Sequence, residues 1–102
     1  MDGSMALTRG RIIGYNTDRM MFEFTMITHD TRVITCEISS VAMDHLDGRR
    51  GTLPPEREAQ FVRLRDAIEK IASGIFKDDK ALQGAVVRIF VKHLPDGRKA
   101  SG

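Results

Sequence analysis

From Phe61 the apolar positions recur at Leu64, Ile68 and Ile71, three, four and three residues apart. At about 100° per residue these side chains form one stripe, so Pro55 to Ser73 is expected to be an amphipathic helix. Ala67 and Ala72 flank the stripe and let a partner surface come close. The opposite face reads as Glu58, Arg63, Asp66, Glu69 and Lys70, with Asp66–Lys70 and Arg65–Glu69 at i,i+4. Each such pair contributes roughly 0.2–0.5 kcal/mol. A buried stripe side chain contributes about 1.5–3 kcal/mol. Burial therefore decides, and the helix needs a layer to lie on. Thr52 is a candidate capping hydroxyl, Pro54 and Pro55 preset a first turn, and Glu56 and Glu58 suit the positive end of the dipole. Gly74 is a candidate stop. Because Ile75 extends the stripe, we expect continuation to Phe76 or Lys77.

Before the helix the pattern changes from a helical period to alternation. Arg11 to Tyr15 reads as a short strand whose glycine suggests a bulge. A polar turn, Asn16 to Arg19, leads into Met20 to Thr28, where Phe22, Phe24 and Met26 point one way and Glu23 and Thr25 the other. After His29-Asp30-Thr31, the segment Arg32 to Ser39 alternates again. Ile34, Cys36 and Ile38 share a face, opposite Val33, Thr35 and Glu37. Short turns between alternating strands predict an antiparallel meander. Ser39 or Ser40 can cap a short helix, Val41 to Leu46, which Gly48 stops. The loop Gly48 to Thr52 is tipped by Arg49 and Arg50. Beyond the long helix, Asp78-Asp79-Lys80 and Gln83-Gly84 form a polar connection. Ala85 to His93 reads as a closing strand with Val87, Ile89 and Val91 on one face. Pro95-Asp96-Gly97 is a turn, and Arg98 to Gly102 a polar tail.

The predicted architecture is α+β. A mostly antiparallel sheet, the N-terminal three-strand meander plus the C-terminal strand, carries the short helix and one long amphipathic helix packed on one face. One domain spans 1–102, with an ordered core at about 8–94 between polar tails.

Composition narrows the functional classes. With 102 residues, 41% hydrophobic and 29% charged, the chain has the make-up of an ordinary globule that can bury a core. A formal net charge of +2 is too small to imply a polyanion partner. A single cysteine, Cys36, excludes an internal disulfide. No apolar run approaches a membrane span, and the N-terminal residues lack a signal pattern, so a reducing cytoplasm is expected.

Two stretches also resemble a known family. In Ile34 to Leu46, ITCEISSVAMDHL, a strand carrying Cys36 and Ile38 leads through Ser39 into a short helix with Ala42 and Leu46. In Phe61 to Ala72, FVRLRDAIEKIA, Phe61 is followed by Arg65, Ile68 and Ala72. Together they resemble the small bacterial domain family of unknown function numbered fourteen-eighty-eight, over roughly Gly10 to His93. The resemblance implies a small bacterial α+β domain. It carries no assigned activity, hence no catalytic positions. The closing strand, AVVRIFVKH, is more hydrophobic than that pattern.

No constellation in the sequence announces a reaction, and we expect no enzyme, cofactor or metal. Cys36 alternates with Ile34 and Ile38 on an apolar face and reads as a core residue rather than a nucleophile. His29, His45 and His93 lack metal-ligand spacing. Asp18, Asp30, Asp44, Asp47, Asp78 and Asp79 read as solvated turn and helix-end residues. Arg65, at the edge of the stripe, is expected to pair with Glu37 or Glu23. No phosphate loop occurs. The methionines, among them Met20, Met21, Met26 and Met43, suit either a core or an adaptable interface.

Two functional readings remain. If the helix covers one sheet face, Met21, Ile27 and Val33 lie on the other and mark an interface. That makes the chain a protein-interaction module, a homodimer among the candidates. The alternative is weak nucleic-acid binding by Arg49 and Arg50, helped by Arg9, Arg11, Arg98 and Lys99, though with Tyr15 as the only tyrosine and no tryptophan to stack on bases.

Overall fold

A computed structural model of the chain describes residues 6–78 and 86–95. Its elements run β1 (Leu7–Asn16), β2 (Met21–Thr28), β3 (Val33–Ser39), α1 (Ser40–Asp47), α2 (Arg57–Asp78) and β4 (Val87–Ile89). Short 3₁₀ turns occupy Pro54–Glu56 and Val91–His93. The first three strands are the antiparallel meander, and β4 adds to β3 in parallel, giving the order β1-β2-β3-β4. A parallel neighbour needs a crossover, and α1 and α2 supply it. This is the expected mostly antiparallel α+β architecture.

The core lies between the sheet and α2. Phe22, Phe24 and Met26 of β2, with Ile34, Cys36 and Ile38 of β3, are buried against Phe61, Ile68 and Ala72 of α2. Phe61 stacks on Phe22 with ring centroids 4.5 Å apart and meets Phe24 at 4.9 Å. Ala42 and Met43 of α1, Val87 and Ile89 of β4, and Leu94 close the rim.

β1 is twice as long as its alternation suggested. Leu7 faces Thr28, Arg9 faces Met26, Ile12 faces Phe24 and Tyr15 faces Phe22. These positions of β1 are spaced two, three and three apart, whereas their partners are spaced two apart. Two bulges absorb the extra residues, which is why a period-2 reading failed here. Both need glycine. A Cβ on Gly10 would lie 2.5 Å from the carbonyl and hydroxyl oxygens of Thr25. Gly14 adopts φ 136°. The Arg11 N–H, displaced from the regular ladder, donates to Thr25 Oγ1 at 2.8 Å.

Ser39 caps α1 by accepting from Ala42 N–H at 3.0 Å, and Gly48 ends it with φ 68°. The long helix starts later than Pro55 and, as Ile75 suggested, continues past Gly74, to Asp78. Pro54–Glu56 form the 3₁₀ turn, closed by Leu53 N–H donating to Glu56 Oε1 at 3.2 Å. Thr52 does not cap it, because its hydroxyl donates to Asp44 Oδ1 at 2.9 Å. The helix runs through Gly74, and Ile75 and Phe76 pack partly on the core.

The closing strand is shorter than expected. After Ile89 the chain turns so that Leu94 is buried, and His93 Nδ1 accepts from Phe90 N–H at 2.9 Å. The expectations for the Asp79–Gly84 connection, for Ala85, for the rest of the Pro95-Asp96-Gly97 turn and for the Arg98–Gly102 tail fall outside the described residues.

Candidate functional site

The face of the sheet turned away from α2 is graded along the strands. At the end formed by Thr8, Ile27 and Val33, Ile27 is half-buried and Val33 stands in solvent, 67% exposed. At the other end Glu23 pairs with Glu37 in the ladder, and Glu37 with Arg88 of β4. Like charges directly opposite repel, and here arginines resolve the conflict. Arg19 from the β1–β2 turn grips Glu37 with two hydrogen bonds of 2.6 Å and approaches Glu23 at 3.7 Å, while Arg88 Nε donates to Glu37 Oε1 at 2.9 Å. Glu37, expected on a wet face, is therefore buried. Burial pushes its carboxyl up, but the hydrogen bonds from Arg19 and Arg88 outweigh that and hold it below the usual carboxylate range.

Between these ends the bulges of β1 open a groove of about 520 Å³. Gly10 to Ile13 of β1, Thr25 and Ile27 of β2 and Val33 of β3 line it. Of the predicted interface residues, Ile27 and Val33 are brought together here and Met21 is not. Met21 is buried, since it closes both ladders between Asn16 and Ser39. The turn before it is tied to the start of α1 by Ser40 N–H donating to Met20 O at 2.9 Å. Ile13, 54% exposed, takes its place in the patch. Sequence reading missed Ile13 because the bulge that turns it outward has no period-2 signature.

A polar cluster joins α1 to the start of α2. Asp44 accepts from Arg57 at 2.7 Å and from Gln60 and Thr52 at 2.9 Å each. Gln60 and Arg57 are buried, and the Arg57 guanidinium lies 5.5 Å from the Tyr15 ring centre. Its Nε is buried without a hydrogen-bond partner, and the ring face offsets part of that cost. Asp47 accepts from Arg63 at 2.7 Å. Burial raises the Asp44 and Asp47 carboxyls, but their hydrogen-bond donors outweigh it and leave both below the usual range. These aspartates are network centres rather than the solvated groups expected.

The Arg49–Arg50 loop borders a cavity of about 430 Å³ with Val41, Asp44 and His45. Gly48 and Gly51 turn it with positive φ of 68° and 67°. It follows the C-terminus of α1, whose carbonyls favour cations over anions. Arg49 pairs with Asp47 at 3.4 Å. Arg9 is committed elsewhere, donating to Glu69 at 2.9 Å and Asp66 at 2.8 Å.

Arg65 forms an ion pair, but not with Glu37 or Glu23, which face away from α2. It donates to Glu69 Oε2 at 3.0 Å and to Gly10 O at 3.3 Å. Glu69 thus leaves the polar face of the helix and is buried beneath Arg9 and Arg65. Cys36 is fully buried; burial first, then the charge of Glu69, pushes its thiol up to about 12. Burial and then Lys92 push His93 down, and its bond from Phe90 only partly compensates.

The class is a four-stranded α+β domain: a bulged meander with a short parallel edge strand, backed on one face by a long helix. No family model matches the sequence, and no curated protein does. Among solved structures the fold matches that of a protein of unknown function from the DUF1488 family of Shewanella loihica PV-4, determined at 1.60 Å resolution. The TM-score is 0.70 at 18% sequence identity, covering 86% of this chain and 96% of that one. The resemblance to this family read from the sequence is therefore met in the fold. Among the described residues, no helix is long and apolar enough to cross a membrane.

Proposed function

We propose that this chain is a non-enzymatic protein-interaction module whose contact surface is the outer face of β1, β2 and β3. The observation that supports it is the exposed pair Ile13 and Val33, with the half-buried Ile27, lining a groove on a sheet face that neither helix covers. Apolar side chains gathered at one groove, unlike those exposed singly, favour a contact site. The non-enzymatic part draws on two features. The thiol of Cys36 is sealed in the core, and Asp44, Asp47, Glu37 and Glu69 are each neutralised by arginines of the same chain. Groups so engaged serve packing better than proton transfer.

A photo-crosslinking residue placed at Val33, in the cells that make the protein, tests this reading. We expect a discrete adduct, of twice the chain mass for self-association or of another mass for a different protein. The same residue at Glu58, on the exposed first turn of α2, should give none. The reading fails if Val33 yields no discrete adduct. The alternative, nucleic-acid binding by Arg49 and Arg50, requires affinity that collapses with added salt. The pairing of Arg49 with Asp47 and of Arg9 with Glu69 speaks for the protein-contact reading.

A further inference from the structure

Arg11 stands apart from most of the arginines. Apart from Arg50, every other arginine among the described residues meets a carboxylate of its own chain within 4.0 Å. Arg11 is exposed and lines the outer-face groove with Ile13, and among the described residues only its backbone is engaged, by Thr25. The bulge at Gly10 holds it there. A positive, planar donor beside an apolar cleft selects a ligand with two parts, a side chain for the cleft and a carboxylate for the guanidinium.

We infer that the groove seats an apolar segment of another protein that brings an acidic side chain to Arg11. This rests on the outer face being the contact surface and adds the chemistry of the partner. A second copy fits less well. A twofold interface uses the same patch on both chains, and the carboxylates that patch has at its far end, Glu23 and Glu37, are already held by Arg19 and Arg88. Among the described residues of that patch, the copy would bring apolar surface and a second Arg11, but no unpaired acid.

Three short amphipathic peptides with one apolar face, differing only in Glu, Gln or Lys beside it, provide the probe. Binding is followed by amide shifts in the nitrogen-labelled protein. The Glu peptide should perturb Gly10 to Ile13, Ile27 and Val33, and should bind about tenfold tighter than the Gln peptide, as for a desolvated charge pair. The Arg11→Glu variant, whose folding the same spectra report, should prefer the Lys peptide. Equal affinity for all three, no binding of any, or a preference unmoved by Arg11→Glu would overturn the inference. An adduct at Val33 would still leave the face as a contact surface. A concentration-dependent dimer in light scattering, broken by Val33→Asp but not by Arg11→Glu, would also overturn it in favour of self-association.

Discussion

A methyl group on Gly10 has nowhere to go. One of the oxygens it would meet at 2.5 Å is a backbone carbonyl, which cannot yield without opening the β1–β2 pairing. Gly10→Ala is therefore expected to cost about 1–3 kcal/mol, as overpacking does, seen as a lower urea midpoint at unchanged slope. Ile68 presents the opposite case, a fully buried side chain in the α2 stripe. Ile68→Ala should cost about 2–5 kcal/mol; a cost near zero would mean that the stripe does not carry the fold. The spacing made the burial of Phe61 and Ile68, and of Ala72 beside them, legible from sequence, whereas Leu64 and Ile71 of the same stripe are only partly buried and Ala67 is exposed. The burial of Glu69 was not, because it depends on Arg9, sixty positions earlier in the chain. Asp44 was misjudged for a similar reason. Its partners Thr52, Arg57 and Gln60 come from the next loop and helix, and local spacing does not show that a helix end will fold back on them.

Among the elements, α2 follows its apolar period even through a glycine. A Cβ on Gly74 would meet nothing within 4 Å, and the residue is exposed inside the helix, ahead of its last turn. Gly74→Ala should thus stabilise the protein by about 0.5–1 kcal/mol, by removing the backbone entropy that glycine loses on folding. Thermal unfolding would show it as a raised midpoint; a fall would indicate that the helix bends or ends there. Strands β2 and β3 were legible because strict alternation separates Phe22, Phe24 and Met26 from Glu23 and Thr25. β1 was only half legible, since its two bulges break that alternation while keeping every second or third side chain on the core. The contact patch inherited the error. Its members on regular strands, Ile27 and Val33, were found, whereas Ile13 and Arg11 on the bulged strand were missed as part of it.

At the level of the whole molecule, arginine–carboxylate links tie distant parts of the chain together. Glu37, Asp44 and Asp47 have folded-state pKa values below their ordinary ones. The unfolded chain therefore takes up protons first as the pH falls. Their contribution is complete well above the unfolded values, near pH 4, and is lost as the pH falls through these toward the folded values. His93, also depressed, adds a loss that begins below about pH 6.5. Urea midpoints should accordingly hold level near neutrality and drop steeply below about pH 4. Asp44→Asn should be less stable at neutral pH and show a shallower drop; an unchanged slope would exclude Asp44 from this linkage. The parallel seating of β4 has a kinetic side. Ile89 pairs beside Ile38, yet both helices lie between them in the chain. The meander can zip up through nearby contacts, whereas the fourth strand must await closure of a long loop. Native-state hydrogen exchange should thus find the amides of Val87 to Ile89 opening well before those of β2; equal protection in both would mean that the edge and the meander assemble as one cooperative unit.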